Sequence, residues 1–594
     1  MKIFLSCCLF LLFSALHGQP TLELAEIQGE DLQSPWINQT VNTIPVVVTA
    51  VGSDFFFIQE EDSGTSRAST AMVVYTGRSR DVEPGMRVEI TGRVVEISGM
   101  TSFSASGLEI EILERNQPLP TAFAPGDTFP SGTARPIPEW ERKEGMLIDF
   151  DARVTGPSFP DGTAALYTTP TRPLREPGIL FPGRSGLPIY DGNPEILWFD
   201  PPALGEENFQ FLSAGMEVSA RAVLVQEGDR YIAWPLSYQV VGSSVGHAVR
   251  PANDEEYTLG SLNVRRLLEG GSDYQEQLNK LALYIDELML TPDILALQEV
   301  GSQAAMEDLL GYLQLFRPQL SYDIYFREGF DDIHLGFLVN PRIEVTSLRQ
   351  LGLNESSSRG GPLHNRPPLL LECQLPGEQP SILRVLNLNL RSLRGIEGSD
   401  STFVRQKRDD QARSVARMVE EWRNENLFVV GDFNAFQFTD GYVDVYAQIS
   451  GQTSLGALFP PEDIVEPPLL SPLDMLPPES RYSFVFDGSA QLLDHCLHNE
   501  LRQLTVNAYQ FARGNADYAI PFAFIDDSVL RSTDHDGFVL YMQSDRSTAV
   551  EEIGRPEGPI PGFLRHNIVS AGSEAVFGRT ANIDLAYRLV SASG

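Results

Sequence analysis

The sequence predicts an α+β protein in which small all-β units precede a larger layered domain of sheets and helices. Short apolar runs separated by Gly and Ser fill residues 44–113, and a second set fills residues 144–242. Many short strands at this spacing are typical of a small barrel. After Pro251, strand-like runs alternate with amphipathic helical segments, which indicates a layered α+β domain. At 594 residues the chain is too long for one hydrophobic core, so several domains are expected.

The first 18 residues, MKIFLSCCLFLLFSALHG, have the pattern of a secretory signal peptide. One Lys precedes an apolar run, and small residues lie before Gln19. The apolar run is too short to span a bilayer, and no later segment is apolar enough to do so. We therefore expect a secreted, periplasmic or extracellular protein without a membrane span. Its two remaining cysteines, Cys373 and Cys496, could form a disulfide or stay free.

Two β units are predicted, over residues 40–115 and 140–245. The motifs GMRV at 85–88 and GMEV at 215–218 each open a strand pair, which indicates two related halves. A Pro- and Gly-rich insertion at residues 157–202 interrupts the second unit.

The largest domain is predicted over residues 255–545, followed by a tail, residues 546–594, of open role. A helix in this domain, VRQKRDDQARSVARMVEEWRNE, precedes the buried strand LFVV. Its basic residues are expected to form a solvated face, or to meet a phosphate backbone if they lie on the rim of a site. These are Arg405, Lys407, Arg408 and Arg413.

The net charge limits the partners of the protein. With 80 acidic and 44 basic residues, the chain carries a formal charge of −36. A protein that binds polyanions through its overall field should be basic. This chain repels nucleic acid at long range unless a local basic surface or a divalent cation offsets its charge.

Within residues 255–545, apolar strands repeatedly end in acidic or amide side chains. Five such strand ends suggest convergence on one polar site. Carboxylates and amides with one His suit Mg²⁺, Mn²⁺ or Ca²⁺ better than zinc. The set comprises Asn263 in SLNV, Gln298 and Glu299 in ALQEV, Asp432 and Asn434 in GDFN, Asp494 and His495 in LLDH, and Asp534, His535 and Asp536 in TDHDG.

The order of these motifs, SLNV, ALQEV, GFLVNP, NLNLRS, GDFNAF, LLDH and TDHDG, resembles the endonuclease/exonuclease/phosphatase superfamily of deoxyribonuclease-I-like proteins. The resemblance covers residues 257–542, and GDFN with a later DH pair is its most specific part. GDFNAFQFTDGYVDV and RYSFVFDGSAQLLDH look like the exported bacterial nuclease branch. The resemblance implies a two-sheet β-sandwich flanked by helices, preceded by OB-like β units.

The resemblance also implies a metal site. Glu299 would be the principal ligand, with Asn263 and Asp534 beside it. The implied cation is Mg²⁺ or Mn²⁺, with Ca²⁺ possible, and no other cofactor is expected.

The remaining polar residues would perform the chemistry. By resemblance, Asp432 and Asn434 would orient the attacking water and the phosphate. Asp494 would hold His535 in one tautomer, and His535 would contact the scissile phosphate or remove a proton there. Phosphodiester hydrolysis needs in-line water, charge neutralisation and a positioned acid–base group. Which of Asp432 and His535 takes the proton of the water is left open.

One residue departs from the family pattern. The strand before the RS dipeptide usually ends in a catalytic His, and this chain has Asn389 there. Asn can donate a hydrogen bond but cannot deliver a proton at neutral pH.

Three functions are therefore considered. The first is an exported metal-dependent phosphodiesterase that cuts DNA or RNA. The second is a phosphatase or phospholipase-type hydrolase of a smaller phosphoester, favoured by the acidity of the chain and by Asn389. The third is a catalytically degenerate protein whose β units bind a polymer, which the retained acidic and His residues oppose. The oligomeric state is left open.

Overall fold

A computed structural model of the protein describes residues 19–544 apart from 63–65, 133–136, 178, 181–188, 191, 377–380 and 455. The predicted signal peptide and the predicted tail lie outside the described residues. Within the described part of the chain, no helix combines the length and apolar character needed to cross a bilayer.

The first β unit is a ring of five strands with extra strands at its edge. A short helix, α1 (Leu24–Gln28), follows its first edge strand. The ring runs β3-β4-β5-β7-β6 and closes because the long strand β6 pairs with both β3 and β7. Strands β5 and β7 are parallel. The strands are β1 (Thr21–Leu22), β2 (Thr40–Thr43), β3 (Val46–Val51), β4 (Phe55–Gln59), β5 (Ala71–Tyr75), β6 (Arg87–Ile97), β7 (Met100–Phe103) and β8 (Glu109–Glu114).

The second β unit repeats this connectivity. Its closed barrel runs β10-β13-β15-β14-β9, and β13 and β15 are parallel. The third and fifth barrel strands thus pair in parallel in both units. The strands are β9 (Leu147–Val154), β10 (Ala164–Tyr167), β11 (Ile179–Leu180), β12 (Ile189–Tyr190), β13 (Ile196–Phe199), β14 (Glu217–Glu227) and β15 (Arg230–Val241).

The two barrels pack against each other through apolar outer faces. Phe57 and Val73 of the first unit join Trp198 and Val223 of the second in one buried cluster. The ring of Trp234 lies 6.3 Å from that of Phe57. Each barrel also has its own interior core. The contact therefore buries a second apolar surface on each barrel.

The third region contains two stacked sheets. One sheet has the order β18-β19-β17-β16-β28-β27, and the other β20-β21-β22-β23-β26. A hairpin, β24 and β25, lies outside both sheets. The strands are β16 (Glu256–Leu267), β17 (Ile294–Val300), β18 (Asp323–Arg327), β19 (His334–Val339), β20 (Glu344–Gln350), β21 (Leu369–Leu375), β22 (Ser381–Asn389), β23 (Asn426–Asp432), β24 (Phe484–Phe486), β25 (Ser489–Gln491), β26 (Asp494–His498), β27 (Leu504–Phe511) and β28 (Phe538–Ser544).

Helices cover the outer face of each sheet. Helices α2 and α3 pack on the six-stranded sheet, and α4 and α5 on the five-stranded sheet. A third core fills the space between the sheets and includes the buried, free thiols of Cys373 and Cys496. The predicted α+β fold, a two-sheet sandwich behind two β units, is confirmed. The helices are α2 (Tyr274–Leu283), continued by a π-turn (Tyr284–Leu288), α3 (Gln303–Phe316), α4 (Ser401–Glu421) and α5 (Val445–Ser450); 3₁₀ turns span Glu139–Lys143, Pro201–Leu204, Pro472–Met475, Pro478–Ser480 and Ile520–Phe524.

Candidate active site

Four central strands carry apolar side chains between the two sheets and end there in polar ones. Strands β16 and β17 are parallel, as are β22 and β23, so each pair ends at one edge of its sheet. Because side chains alternate along a strand, every second residue faces the interior. These interior series are Leu259, Ser261 and Asn263 in β16, Ile294, Ala296 and Gln298 in β17, Leu383, Val385, Asn387 and Asn389 in β22, and Phe428, Val430 and Asp432 in β23.

Asn263 joins the two sheets. Its side-chain Nδ2 donates to Glu299 Oε1 at 3.2 Å and to Asp432 Oδ2 at 3.1 Å. Its Oδ1 accepts a hydrogen bond from the backbone N–H of Arg265 at 2.9 Å. Asn263 and Asp432 are both 2% exposed. One amide therefore holds two carboxylates that are far apart in sequence.

Glu299 lies in an irregular part of β17. Its φ is +66°, and the pairing with β19 shifts register between Gln298 and Val300. An extra residue in a strand re-aims the side chains that follow, and a non-Gly residue with this φ is strained. This bulge lets Glu299 reach the site directly after the inward-facing Gln298.

Asp432 is held by the turn that follows its strand. Its Oδ1 accepts the backbone N–H of Asn434 at 2.8 Å, and its Oδ2 accepts Asn434 Nδ2 at 2.8 Å. Asn434 has a φ of +50°, which Asn tolerates better than most residues. Asp432 and Asn434 thus form one hydrogen-bonded unit.

Asp494 and His535 form a buried pair. His535 Nδ1 lies 2.7 Å from Asp494 Oδ2, which also accepts the hydroxyl of Ser483 at 2.7 Å. The ring of Phe484 lies 4.8 Å from the imidazole. The Nδ1 contact leaves Nε2 of His535 for another partner, as the predicted tautomeric control requires.

The carboxylates of the site influence one another. Burial is the main cause that raises the pKa of Asp432 to about 7; His535 opposes this rise, and the neighbouring Asp494 and Glu299 contribute to it. Burial alone would lower the pKa of His535, but Asp494, Asp534 and Asp432 raise it well above its usual value. The ligand atoms of Asp432, Asp494 and His535 lie within 4.8 Å of one another.

Asp534 lies beside this group. The hydroxyl of the preceding Thr533 donates to the backbone oxygen of Asn263 at 2.9 Å. Burial alone would raise the pKa of Asp534, but His535, Arg265 and Arg531 lower it. The described hydrogen bonds do not join Asp534 to Glu299, the other predicted carboxylate ligand.

Asn389 ends β22 directly beside Asp432 of β23. It is 2% exposed, and neither polar atom of its side chain has a partner among the described residues. Buried amides are normally hydrogen-bonded, so this side chain is suited to a group that enters the site.

Of the predicted strand-end residues, Gln298 lies beneath the site and His495 points away from it, whereas Asn387, the partner of Gln298, was not predicted. Gln298 Nε2 donates to Asn387 Oδ1 at 2.8 Å, one layer below Asn263 and Asn389. His495, adjacent to Asp494, turns away from the site, and its Nε2 contacts the backbone oxygen of Ala435 at 2.7 Å.

The prediction that the basic residues of α4 form a solvated face is wrong for two of the four. Lys407 and Arg408 are buried, at 7% and 2% exposed. Arg408 donates to Asp440 at 3.1 Å and to the backbone oxygen of Asn434 at 2.9 Å. The polar strand ends can be predicted from the change of apolar to polar residues along each strand. The partners of Arg408 cannot be predicted in this way, because they come from distant parts of the chain.

The donor set suits a hard divalent cation. The carboxylates of Glu299 and Asp432 both accept a hydrogen bond from the side-chain amide of Asn263. Among the described side chains, neither carboxylate forms an ion pair. Buried carboxylates are costly unless they are paired or coordinate a metal. Carboxylate oxygens are the ligands that Mg²⁺ and Mn²⁺ prefer.

Residues 260–535 match the model of the Endonuclease/Exonuclease/phosphatase family. The match covers the two-sheet region that holds the candidate site. The comparison with curated proteins finds no match.

Solved structures similar to this chain include humanized D. rerio TDP2 with 14 mutations, at 16% identity and a TM-score of 0.34, covering 49% of this chain and 100% of that chain. The structure of D. rerio TDP2 complexed with single-strand DNA product is 15% identical and has a TM-score of 0.33. The match covers 49% of this chain and 100% of that chain. An endonuclease/exonuclease/phosphatase from Bacteroides vulgatus is 14% identical and has a TM-score of 0.33. The match covers 49% of this chain and 99% of that chain.

Proposed function

We propose that this protein is an exported, divalent-metal-dependent phosphodiesterase that hydrolyses nucleic acid. The observation that carries the proposal is the meeting of Glu299, Asp432 and the Asp494–His535 pair at one end of the sandwich. Carboxylates that hold a cation and one oriented imidazole can supply the charge neutralisation and proton transfer that phosphoester hydrolysis requires.

Each residue has a part in the proposed reaction. Glu299 would hold the cation with Asn263 and Asp534 beside it, and the cation would neutralise charge on the phosphate. Asp432, fixed by Asn434, orients the attacking water. His535, fixed by Asp494, contacts a phosphate oxygen through Nε2.

The second candidate is hydrolysis of a smaller phosphoester. Asn389 is the observation that favours it, because its unpartnered amide can bind a phosphate oxygen without supplying a proton. The net charge of −36 also disfavours a long polyanion.

Polymer binding by the β units is less well supported. The connectivity of both units supports their assignment as OB-like barrels, which bind oligomers on the face of the second and third strands. Phe57 and Val73 of the first unit and Trp198 of the second lie on these strands, and they are buried against the opposite barrel.

A single assay compares plasmid DNA, single-stranded DNA, bis-p-nitrophenyl phosphate and a phosphomonoester, each with Mg²⁺ or Mn²⁺. We expect diester cleavage that stops on chelation and is abolished by His535→Ala. His498→Ala is the matched control, because His498 is also a buried histidine and lies in β26, the strand that carries Asp494, where its Nδ1 contacts the backbone oxygen of Asn499. Absence of turnover on every substrate with either ion would refute the proposal, and turnover of the monoester alone would favour the second candidate.

A further inference from the structure

The second β unit touches the sandwich next to the catalytic pair. The insertion that follows β10 runs beside β25, where Leu174 bridges to Ala490 and the backbone N–H of Arg175 donates to the oxygen of Ala490 at 2.8 Å. The hydroxyl of Thr155 donates to the oxygen of Gly488 at 2.7 Å. The insertion thereby adds a short third segment to the β24–β25 hairpin.

Gly488 permits this close approach. It has a φ of +77°, and a Cβ there would lie 2.6 Å from the Cβ of Ala165 in the second barrel. Real Cβ atoms do not approach this closely, so a side chain would push the hairpin off the barrel.

A largely buried cluster lies at the base of the same hairpin. We call it the tyrosine clamp and define it as Arg172, Tyr482, Arg513 and Asp517. The guanidinium carbons of Arg172 and Arg513 lie 4.7 and 3.7 Å from the ring centroid of Tyr482. Asp517 accepts Arg172 Nη2 at 2.7 Å and the Tyr482 hydroxyl at 2.6 Å. Arg172 comes from the second β unit, and the other three come from the sandwich.

The clamp is continuous with the catalytic pair through three consecutive residues. Tyr482 is in the clamp, Ser483 donates to Asp494, and Phe484 packs on His535. Arg513 also donates to Asp536, the residue after His535, at 2.9 Å. A displacement of Tyr482 would therefore shift both supports of the imidazole.

We propose that Arg172 is a positioning residue for catalysis, through which the second β unit orients the Asp494–His535 pair. The β unit is then a part of the active site and not a separable module. This inference rests on the proposed function, since the pair it orients is the proposed catalytic one.

The test compares wild type, Arg172→Ala and Arg221→Ala with bis-p-nitrophenyl phosphate and Mg²⁺. Arg221 is the matched control, because it forms a bidentate pair with Asp149 in the same barrel, at 2.7 and 2.6 Å, away from the hairpin. We expect Arg172→Ala to lower kcat by about 10- to 100-fold with KM unchanged, as misplacement of a reacting group does. Arg221→Ala should leave both unchanged.

Tyr482→Phe covers the case in which Arg172→Ala does not fold. It removes only the hydroxyl bond to Asp517 and keeps the ring in contact with the two guanidinium groups. A smaller fall in kcat, again with KM unchanged, supports the proposal. Wild-type kcat in both variants, or in Tyr482→Phe alone where the other is unfolded, overturns it.

A second measurement separates this inference from the proposed function. The proton between His535 Nδ1 and Asp494 should give a downfield NMR resonance, because the bond is short and charge-assisted. We expect this resonance to shift or broaden in Arg172→Ala and to persist in Arg221→Ala. If wild type hydrolyses nothing, the proposed function fails while the resonance still decides the positioning. An unchanged resonance in Arg172→Ala and Tyr482→Phe would overturn it.

Discussion

Two largely buried clusters of ionisable side chains lie at the two ends of the Tyr482–Asp494 segment, and they differ in charge balance. The tyrosine clamp with Asp536 holds two arginines and two aspartates, paired by hydrogen bonds. At the candidate active site, Glu299 and Asp432 share one neutral amide and form no ion pair with a described side chain.

The difference distinguishes stability from function. A buried ion pair satisfies its own charges, and breaking it leaves one charge uncompensated. A site with unbalanced carboxylates carries an energetic cost that a bound cation can remove. The clamp should therefore respond to mutation mainly through stability or positioning, and the active site mainly through activity.

Glu299→Gln should produce the largest effect and should separate these two responses. We expect activity to fall by about 1,000-fold or more, because a principal ligand of the cation is lost. Stability should change by less than about 1 kcal/mol, because Gln keeps the shape of the side chain and can accept one of its two hydrogen bonds. Turnover of bis-p-nitrophenyl phosphate and chemical denaturation measure the two quantities.

Glu299→Gln also tests whether a cation balances the negative charge of the carboxylates at the candidate active site. Mg²⁺ should raise the Tm of wild type by mass action and have little effect on Glu299→Gln. Glu307→Gln, an exposed change in α3, should behave like wild type. A Tm that rises equally in all three proteins would contradict the assignment of Glu299 as a ligand.

Alternation within strands was enough to predict much of the site. Leu259, Ser261 and Asn263 occupy successive inward positions of β16, so the change from apolar to polar can be read from the sequence. The two-sheet fold required the resemblance to a known family, because apolar runs do not reveal which strands pair.

Long-range partners could not be predicted in the same way. Arg172 lies 310 positions before Tyr482 in the chain, yet the two side chains stack. Arg408 is expected to be solvated because it is charged, but it lies four residues from both Val404 and Ala412 on the buried face of α4, against Asp440. Glu299 reaches the site through a bulge that its sequence context does not announce.

Arg513→Ala should give the second-largest effect, and here on stability. Arg513 donates to Asp536 at 2.9 Å and to the backbone oxygen of Ser480 at 2.6 Å, and Asp536 is fully buried. Removing one partner of a buried pair costs about 3–5 kcal/mol. Urea denaturation should show this loss, whereas Arg221→Ala should cost less than about 1 kcal/mol because its pair is exposed. If Arg513→Ala and Arg221→Ala lowered the free energy of unfolding equally, the buried pair would contribute no more to stability than the surface pair, which would contradict this prediction.

Glu256→Gln should give the smallest effect, one that depends on pH. Glu256 accepts two hydrogen bonds from Arg250, at 2.8 and 2.7 Å, and this contact is the main cause that lowers its pKa to about 2. A carboxyl with a lowered folded-state pKa stabilises the protein above its unfolded pKa, which is 4.5 here, and the stabilisation is lost as pH falls towards 2. Because Arg250 is one-third exposed, we expect a loss of only about 1–2 kcal/mol at pH 7.

This difference between wild type and Glu256→Gln should shrink between pH 4.5 and 2, because Glu256 is protonated in the unfolded state over this range before it is protonated in the folded state. Denaturation midpoints measured across that range provide the test, with Arg250→Gln as the reciprocal variant. The Arg250–Glu256 pair joins the segment after the second β unit to the first strand of the sandwich. Its two charges balance each other, and its Arg250 side is partly exposed. A difference that stays constant with pH would mean that packing, and not the charge of Glu256, stabilises this junction.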